Sequence, residues 1–332
     1  MFFRFYDLLV TVLCNDLQLI ERLGRDFSYF KIDQISESDK INQLPFLKVN
    51  LTLGTLPKDD FSKSKLRFLN YDNKLLAWID FSKEEGDFYS EDLHLLHEIA
   101  YLFILTRVGK RLEKKGFYKI HASALRDELG VILCPMLMKG GKTTLFLGLL
   151  CQKNFQIFSD DAPLVDKRGR VLPFPIRIGM EKKETYTCFS QEDIYVLKRR
   201  RFGLKYLVDV RSIKNSIASS SEGTLTFWLC KRVTRPGCSL HKISRLRLIP
   251  LIFINMILGL GLPYAREFYL EGTLKDFLTL IKTGWGRSKA AFHLLKKAEC
   301  YFVILGNVPL ENAKYLASLR SEDGRQNNEG RN

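Results

Sequence analysis

Hydrophobic and polar positions along the chain change their spacing several times, and these changes predict a mixture of strands and helices. In the first part, short apolar or alternating runs predict strands at residues 2–10, 46–52, 65–71 and 74–79. Asp72 and Asn73 separate the last two runs, which predicts a hairpin turn. We interpret residues 1–87 as a separate N-terminal α+β module.

One long helical pattern follows this module. Apolar residues recur at helical spacing up to Lys115, Ser90 fits the N-cap, and Gly116 is placed to end the helix. We expect this segment, residues 88–116, to connect the module to the rest of the protein. His94 and His97 lie on it without an evident third ligand, so we interpret them as ordinary helix residues.

The second part of the chain alternates strands with helices. Apolar runs predict strands at residues 130–134, 155–158, 205–210, 224–230 and 300–306. Helical spacing predicts helices at residues 249–260, 274–281, 288–297 and 309–319. This order indicates an α/β core of residues 117–320. The polar residues 321–332 predict a flexible tail.

The most informative segment of the chain is residues 116–161. A short apolar run at residues 130–134 is followed by Gly140, Gly141, Lys142, Thr143 and Thr144, and then by an apolar helical stretch. A second apolar strand leads into Asp160 and Asp161. Strand, glycine turn, helix and strand predict a parallel βαβ unit with its carboxylates at the C-terminal edge of the sheet.

These residue types have roles in phosphate chemistry. Backbone N–H groups of a glycine turn and of the following helix can bind phosphates. Lys142 can contact the β- and γ-phosphates, and the Thr143 hydroxyl can bind Mg²⁺. Asp160 or Asp161 can hold the metal or accept a proton from an attacking hydroxyl. The alternative is an ordinary tight turn with two surface aspartates, since Met136 stands where a phosphate loop has its first glycine.

Charge and cysteine content narrow the classes of partner. A formal charge of +15 favours an acidic or nucleotide ligand, whereas no nucleic-acid-binding signature accompanies it. Seven scattered cysteines predict reduced thiols in a cytoplasmic protein. The apolar run at residues 248–263 is too short and interrupted for a membrane span, so we expect no membrane partner.

Four motifs together resemble the catalytic domain of the HPr kinase/phosphorylase family, which shares a P-loop core with ATP-dependent phosphoenolpyruvate carboxykinase. They are residues 120–123 (Ile-His-Ala-Ser), the glycine–lysine–threonine turn, residues 159–161 (Ser-Asp-Asp) and residues 169–175. His121 precedes Lys142 by 21 residues, as in the family, and Asp161 follows it by 19, one residue more. The resemblance covers residues 117–310 and is closer to divergent members from peptide natural-product cassettes, such as the SynChlorMet cassettes.

The resemblance implies an ATP- and Mg²⁺-dependent kinase and assigns roles to residues. Asp161 would be the acid/base and His121 would lie beside the transferred phosphoryl group, with Lys142 on the phosphates. Thr143 and Asp160 would hold the metal. The remaining nucleotide contacts would come from Lys139, Gly140, Gly141 and Thr144.

The chain departs from the family at several positions. Met136 and Lys139 replace small loop residues, and the family's metal-binding glutamate motif is absent, although Glu181 and Glu184 lie near its expected distance. We predict a phosphotransferase acting on a hydroxyl of a peptide, protein or small molecule. Its partners would be a precursor peptide or a radical enzyme, and an oligomer is possible by analogy with the family. The alternative is a nucleotide-binding scaffold without catalysis.

Overall fold

The structure is a computed structural model that describes residues 1–35, 46–57, 66–135, 141–152, 154–180, 189–199, 203–219 and 221–329. Its strands are β1 Phe2–Phe5, β2 Leu8–Cys14, β3 Lys31–Ile32, β4 Leu47–Leu53, β5 Arg67–Tyr71, β6 Leu75–Asp80, β7 Glu85–Ser90, β8 Phe117–Lys119, β9 Ser123–Arg126, β10 Gly130–Cys134, β11 Gln156–Ser159, β12 Leu164–Asp166, β13 Val171–Leu172, β14 Ile178–Met180, β15 Ile194–Arg199, β16 Gly203–Val208, β17 Thr224–Arg232, β18 Ser239–Lys242 and β19 Ala298–Leu305. Its α-helices are α1 Leu17–Asp26, α2 Leu93–Lys115, α3 Lys142–Leu150, α4 Ile249–Ile252, α5 Arg266–Tyr269, α6 Leu274–Lys297 and α7 Pro309–Glu329. A π-helix at Phe253–Ile257 continues α4, and short 3-10 helices lie at Ser28–Phe30, Gln191–Asp193, Val210–Ser216 and Arg245–Leu248.

Strands β1 to β7 form a mixed sheet in the order β3-β1-β2-β4-β7-β6-β5. The single strand predicted at residues 2–10 is wrong, because the chain reverses at Tyr6, which has φ 59°, and gives the hairpin β1–β2. The predicted turn at Asp72 and Asn73 is confirmed: both residues have φ 53°, and the Lys74 N–H donates to the Tyr71 carbonyl across them. Along β4 and β7 buried residues alternate with less buried ones, because one face of the sheet packs on helices.

Helix α2 covers this sheet. It begins at Leu93, and the prediction of Ser90 as N-cap is wrong, because Ser90 ends β7 and the Asp92 carboxylate caps the helix by accepting hydrogen bonds from the N–H groups of His94 and Leu95. Its predicted end is confirmed, since Gly116 adopts φ 89°. The apolar cluster around α2 also contains Phe174 and Phe268, so it extends from the N-terminal sheet into the second half of the chain.

The central sheet has six strands in the order β11-β9-β10-β17-β19-β18. Strands β10, β17 and β19 are parallel, and β9 is antiparallel to both β10 and β11. Strands β10 and β11 therefore point the same way, and α3 connects them. The predicted βαβ unit is present, with β9 inserted between its two strands, and the chain is a mixed α/β protein.

The C-terminal helices differ from the prediction. The helices predicted at residues 274–281 and 288–297 form the single helix α6, which passes through Gly284 and Gly286. A Cβ at Gly286 would lie 2.0 Å from the Tyr118 hydroxyl oxygen, so glycine permits close packing there. Helix α7 continues to Glu329, so most of the segment predicted as a tail is helical. In the part of the chain that the structure describes, no helix is long and apolar enough to cross a membrane.

The cysteine prediction is confirmed only in part. Among the described residues five thiols are free, namely those of Cys14, Cys134, Cys230, Cys238 and Cys300, and Cys188 lies outside the described ranges. Cys151, directly after α3, is disulfide-bonded, so the expectation that all seven cysteines are reduced is wrong at this position. A disulfide depends on a spatial neighbour, which the spacing of cysteines along a chain does not reveal.

Candidate functional site

The candidate site lies where α3 begins and β11 ends. Gly141 precedes the helix with φ 89°, a left-handed conformation that glycine adopts at little cost. Leu145, Phe146 and Leu149 are buried and anchor the helix on the sheet. The first N–H groups of a helix have no partner inside it and form a positive end that attracts anions. This positive end of α3 lies beside Asp160, which follows β11 and contacts Thr143.

Asp161 is the centre of the site. Its Oδ1 lies 2.5 Å from the Lys142 ammonium nitrogen and 3.2 Å from His121 Nε2. The Lys142 and His121 side chains are buried, with 10% and 7% exposure, whereas the Asp161 side chain is 39% exposed. One carboxylate oxygen is thus shared between a cation and an imidazole, while the carboxylate stays accessible from solvent.

Asp160 forms a second, more buried group with two hydroxyls. The Thr143 hydroxyl donates to Asp160 Oδ2 at 3.2 Å, and the Ser123 hydroxyl contacts Asp160 Oδ1 at 3.3 Å. Ser123 also donates to the Asp160 carbonyl at 2.7 Å, which fixes the backbone at this turn. The sequence motif at residues 120–123 assigned no role to Ser123, and in the structure Ser123 positions Asp160.

The two aspartates differ in their acidity. Burial acts to raise the pKa of Asp161, but the Lys142 charge and the contact with His121 outweigh it, so its pKa lies well below the usual range. Burial raises the pKa of Asp160, and the neighbouring charges of Lys142 and Lys205 offset this effect only in part. Asp161 is therefore an ionised, accessible carboxylate, and Asp160 is one that a nearby cation would help to ionise.

His121 packs against the segment that follows α4, residues 253–261. The backbone N–H of His121 donates to the Asn255 carbonyl at 3.0 Å, within the π-helix. Gly261 has φ 87°, and a Cβ there would lie 2.2 Å from His121 Nδ1. The Asn255 side chain is buried, and its Nδ2 has no hydrogen-bond partner within the described residues. Sequence reasoning missed both residues, although a polar residue inside an apolar run was a signal.

The structure places most of the predicted site residues together. Lys142 and His121 both contact Asp161, Thr143 contacts the adjacent Asp160, and Gly141 and Thr144 belong to the same helix start. The predictions for Lys139 and Gly140 fall outside the described residues, as do those for Met136, Glu181 and Glu184.

The donor set at the start of α3 decides whether a metal ion fits there. Within the described ranges, no group of three or more His, Cys, Asp or Glu side chains could hold a metal ion. The Thr143 hydroxyl and the Asp160 carboxylate nevertheless offer two oxygen ligands at the helix start. Mg²⁺ is commonly bound by one or two protein oxygens together with substrate phosphates and water. The residues therefore fit an Mg²⁺ ion that arrives with a nucleotide.

Lys119, two residues before His121, is a buried cation near the site. Its ammonium donates to the Leu105 carbonyl at 3.3 Å and lies 4.6 Å and 5.0 Å from the ring centres of Phe174 and Tyr264. Burial lowers the pKa of Lys119 to about 7, although the Glu113 charge acts in the opposite direction. The side chain is fully buried, so its charge is a cost to folding.

We expect Lys119→Met to raise the free energy of unfolding at neutral pH by about 1–3 kcal/mol, the cost of a poorly paired buried polar group. The unfolded chain keeps this proton up to about pH 10.4, so wild-type stability rises between about pH 7 and pH 10. Urea denaturation at about pH 6 and about pH 9 should therefore show that the gain in free energy of unfolding of the variant over wild type shrinks with rising pH. A pH-independent difference would contradict a lysine whose pKa is lowered in the folded state.

Comparison with known proteins does not assign the chain to a family. No protein-family model matches it, and no curated protein matches it. The resemblance to the HPr kinase/phosphorylase family therefore rests on the sequence motifs, and the function is inferred from the site.

Proposed function

We propose that this chain is an ATP- and Mg²⁺-dependent phosphotransferase, with an HPr-kinase-like P-loop core, that acts on a hydroxyl of a peptide, protein or small molecule. The observation that carries the proposal is the contact of one Asp161 oxygen with both Lys142 and His121 at the start of α3. A phosphate-binding cation and a carboxylate base at a helix start are among the parts that phosphoryl transfer uses.

The contact between Lys142 and Asp161 implies that phosphate binding by Lys142 precedes proton acceptance by Asp161. A phosphate group at the start of α3 attracts the Lys142 ammonium, which now bonds Asp161 Oδ1. The Asp161 carboxylate is then released to accept the proton of the acceptor hydroxyl. The hydroxyl oxygen attacks the γ-phosphorus, the bond from that phosphorus to the bridging β-phosphate oxygen breaks, and ADP leaves. His121 lies beside the same carboxylate and offers an imidazole to the transferred group.

Asp160 and Thr143 have a different part in the proposal. They would hold Mg²⁺, which supplies positive charge to the phosphate oxygens when bound. Burial raises the pKa of Asp160, and a divalent cation beside it would favour the ionised form. Ser123 keeps the Asp160 carboxylate oriented toward Thr143.

The second candidate is a nucleotide-binding scaffold without catalysis. It is favoured by the small metal-ligand set, since the described residues supply only the Thr143 and Asp160 oxygens at the helix start. This candidate shares ATP binding with the first and differs in having no need for a base. The two are therefore separated by chemistry at Asp161.

The first experiment is calorimetric titration with ATP, with and without Mg²⁺, of wild type, Lys142→Ala and Lys242→Ala. We expect Mg²⁺-dependent binding by wild type and at least about tenfold weaker binding by Lys142→Ala, because a charged hydrogen bond to phosphate contributes about 1.5–3 kcal/mol. Lys242 is the control, since its side chain is 69% exposed at the edge of the central sheet. Absence of binding by wild type at millimolar ATP would refute both candidate functions.

A further inference from the structure

Helix α6 exposes a continuous stripe of large apolar side chains. Their exposed fractions lie between 57% and 78%, and they are Leu274, Phe277, Leu278, Ile281, Trp285 and Phe292. With 3.6 residues per turn, all six lie within about 60° on either side of one line along the helix. We call this set the apolar stripe. An exposed apolar surface of this kind marks an interaction site.

The stripe is not needed to hold α6 in place. The opposite face of the helix is buried, and its members include Thr283, Arg287, Ala290 and Leu294. Arg287 donates to the Ile257 carbonyl at 3.0 Å and also pairs with Glu113. The helix therefore has one face for the protein interior and a second apolar face directed away from it.

A row of lysines runs along one side of the apolar stripe. Lys282, Lys289 and Lys296 are exposed and repeat every seven residues, so they stay beside the stripe over its length. The only acidic residue of α6 is Asp276, which is buried and paired with Lys110. The exposed surface of the helix therefore combines apolar and cationic side chains without a carboxylate.

The neighbouring segment, residues 245–257, also exposes apolar and cationic side chains. Arg245 donates to the Lys296 carbonyl at 2.7 Å, which places the start of this segment beside the end of α6. Its inner residues join the same apolar cluster as Ala290 and Leu294 of α6. Its exposed residues are Arg245, Leu246, Arg247, Ile249, Pro250 and Phe253. Two adjacent helical segments thus present apolar and cationic groups on the side away from a shared core.

The chemistry of this surface discriminates among possible occupants. A second copy that docks through the same surface brings no carboxylate to the lysines, because neither α6 nor residues 245–257 expose one. Lysine is depleted at protein–protein interfaces, whereas a helix with Trp, Phe and Leu on one face and lysines beside it is typical of a membrane surface. The formal charge of +15 adds attraction to an anionic bilayer.

We propose that α6 and residues 245–257 form a peripheral binding surface for anionic lipid bilayers. The apolar stripe enters the boundary between head groups and acyl chains, and the lysine row contacts lipid phosphates. This inference is independent of phosphoryl transfer. It revises the expectation of no membrane partner, which was based on the absence of a spanning segment and did not consider a helix lying in the surface.

Tryptophan fluorescence gives a direct test. Of the three tryptophans, Trp78 and Trp228 are buried and Trp285 is 76% exposed. Vesicles of phosphatidylcholine with about one third phosphatidylglycerol should shift the emission of the full chain to shorter wavelength, and phosphatidylcholine alone should not. Trp285→Phe should lose the shift but still sediment with the vesicles, because phenylalanine keeps the apolar contact.

Two sets of variants separate the contributions of the apolar stripe and of the lysine row to vesicle binding. Phe277→Ser with Phe292→Ser should weaken co-sedimentation at least tenfold. Lys282→Gln, Lys289→Gln and Lys296→Gln together should weaken it about 100-fold, since each lysine near an anionic surface contributes about 1 kcal/mol. The control is Leu17→Ser with Leu204→Ser, two leucines that are 87% and 63% exposed outside this surface.

Three results would overturn the proposal. Wild type that does not sediment with anionic vesicles is one, and equal sedimentation of the control and the stripe variants is another. The third comes from light scattering: a wild-type dimer that the phenylalanine variants convert to monomer, without vesicle binding, would show that a second copy covers the stripe.

Discussion

Asp26→Asn is expected to lower the free energy of unfolding by about 3–5 kcal/mol, the cost of breaking a buried ion pair on one side. Asp26 is fully buried at the end of α1. Its carboxylate contacts His97 Nε2 at 2.7 Å, accepts from Arg177 at 2.9 Å, and accepts from the Tyr195 hydroxyl at 2.6 Å. Three donors from three separate segments thus converge on one carboxylate.

The size of the effect follows from what remains after the substitution. Arg177 lies 3.6 Å above the centre of the Tyr101 ring, with its side chain 12% exposed, so its charge cannot move into water without unpacking. The asparagine amide keeps the shape of aspartate but turns a donor toward groups that also donate. The variant therefore leaves a buried positive charge without its counter-ion.

The pH dependence of this effect has a defined sign. Burial acts to raise the pKa of Asp26, but Arg177 and His97 outweigh it and the pKa is lowered. A lowered carboxyl pKa contributes stability that is fully present above the unfolded value of about 3.9 and is lost as pH falls through the folded value. The difference between wild type and Asp26→Asn should therefore be constant near neutral pH and shrink in acid.

Urea denaturation measures this difference, with Asp7→Asn as the matched control. Asp7 is 58% exposed and pairs with Lys115 at the surface, so its loss should cost less than about 1 kcal/mol. Adding Arg177→Met to Asp26→Asn should recover part of the stability, because no unpaired charge remains. Equal effects of Asp26→Asn and Asp7→Asn would contradict a structural role for the cluster.

This cluster also explains a limit of sequence-based reasoning. Asp26 and Arg177 are 151 positions apart, and no spacing or motif connects them. The site residues, in contrast, were predicted because Lys142, Thr143, Asp160 and Asp161 belong to one strand–turn–helix–strand unit. Local order along the chain determined their positions at one sheet edge, whereas the cluster around Asp26 depends on how distant segments pack.

Helix α6 shows a second limit. Residues 274–281 and 288–297 were predicted as two shorter helices, and Gly284 and Gly286, which lower helix propensity, lie between them. Packing prevails in the structure, because the missing side chain of Gly286 leaves room for the Tyr118 hydroxyl. Only the uninterrupted helix aligns Leu274 with Phe292, and the exposed stripe was therefore not visible from two separate helices.

Asp161→Asn should abolish most phosphoryl transfer while leaving ATP binding intact. General-base catalysis contributes about 100- to 10,000-fold to a rate, and asparagine cannot accept the proton. ATP affinity should be equal or higher, because Lys142 no longer has a carboxylate partner 2.5 Å away and its full charge is available to phosphate. The expected signature is a loss of kcat without an increase in KM, the opposite of Lys142→Ala.

The acceptor need not be identified for this measurement, because water is the simplest hydroxyl. Mg²⁺-dependent release of phosphate from ATP would be compared among wild type, Asp161→Asn and the exposed control Asp33→Asn. The lowered pKa of Asp161 keeps the base ionised in the free enzyme in mild acid, so its protonation should not limit the wild-type kcat/KM between about pH 5 and pH 8.

The outcomes separate the two candidate functions. Phosphate release that survives in Asp161→Asn at the wild-type rate would exclude Asp161 as the base. Wild type that binds ATP through Lys142 yet releases no phosphate would favour the scaffold, since binding needs the cation and the helix start but not the base. A loss confined to Asp161→Asn would favour the enzyme, because among these variants only that substitution removes the proton acceptor and keeps the phosphate contact.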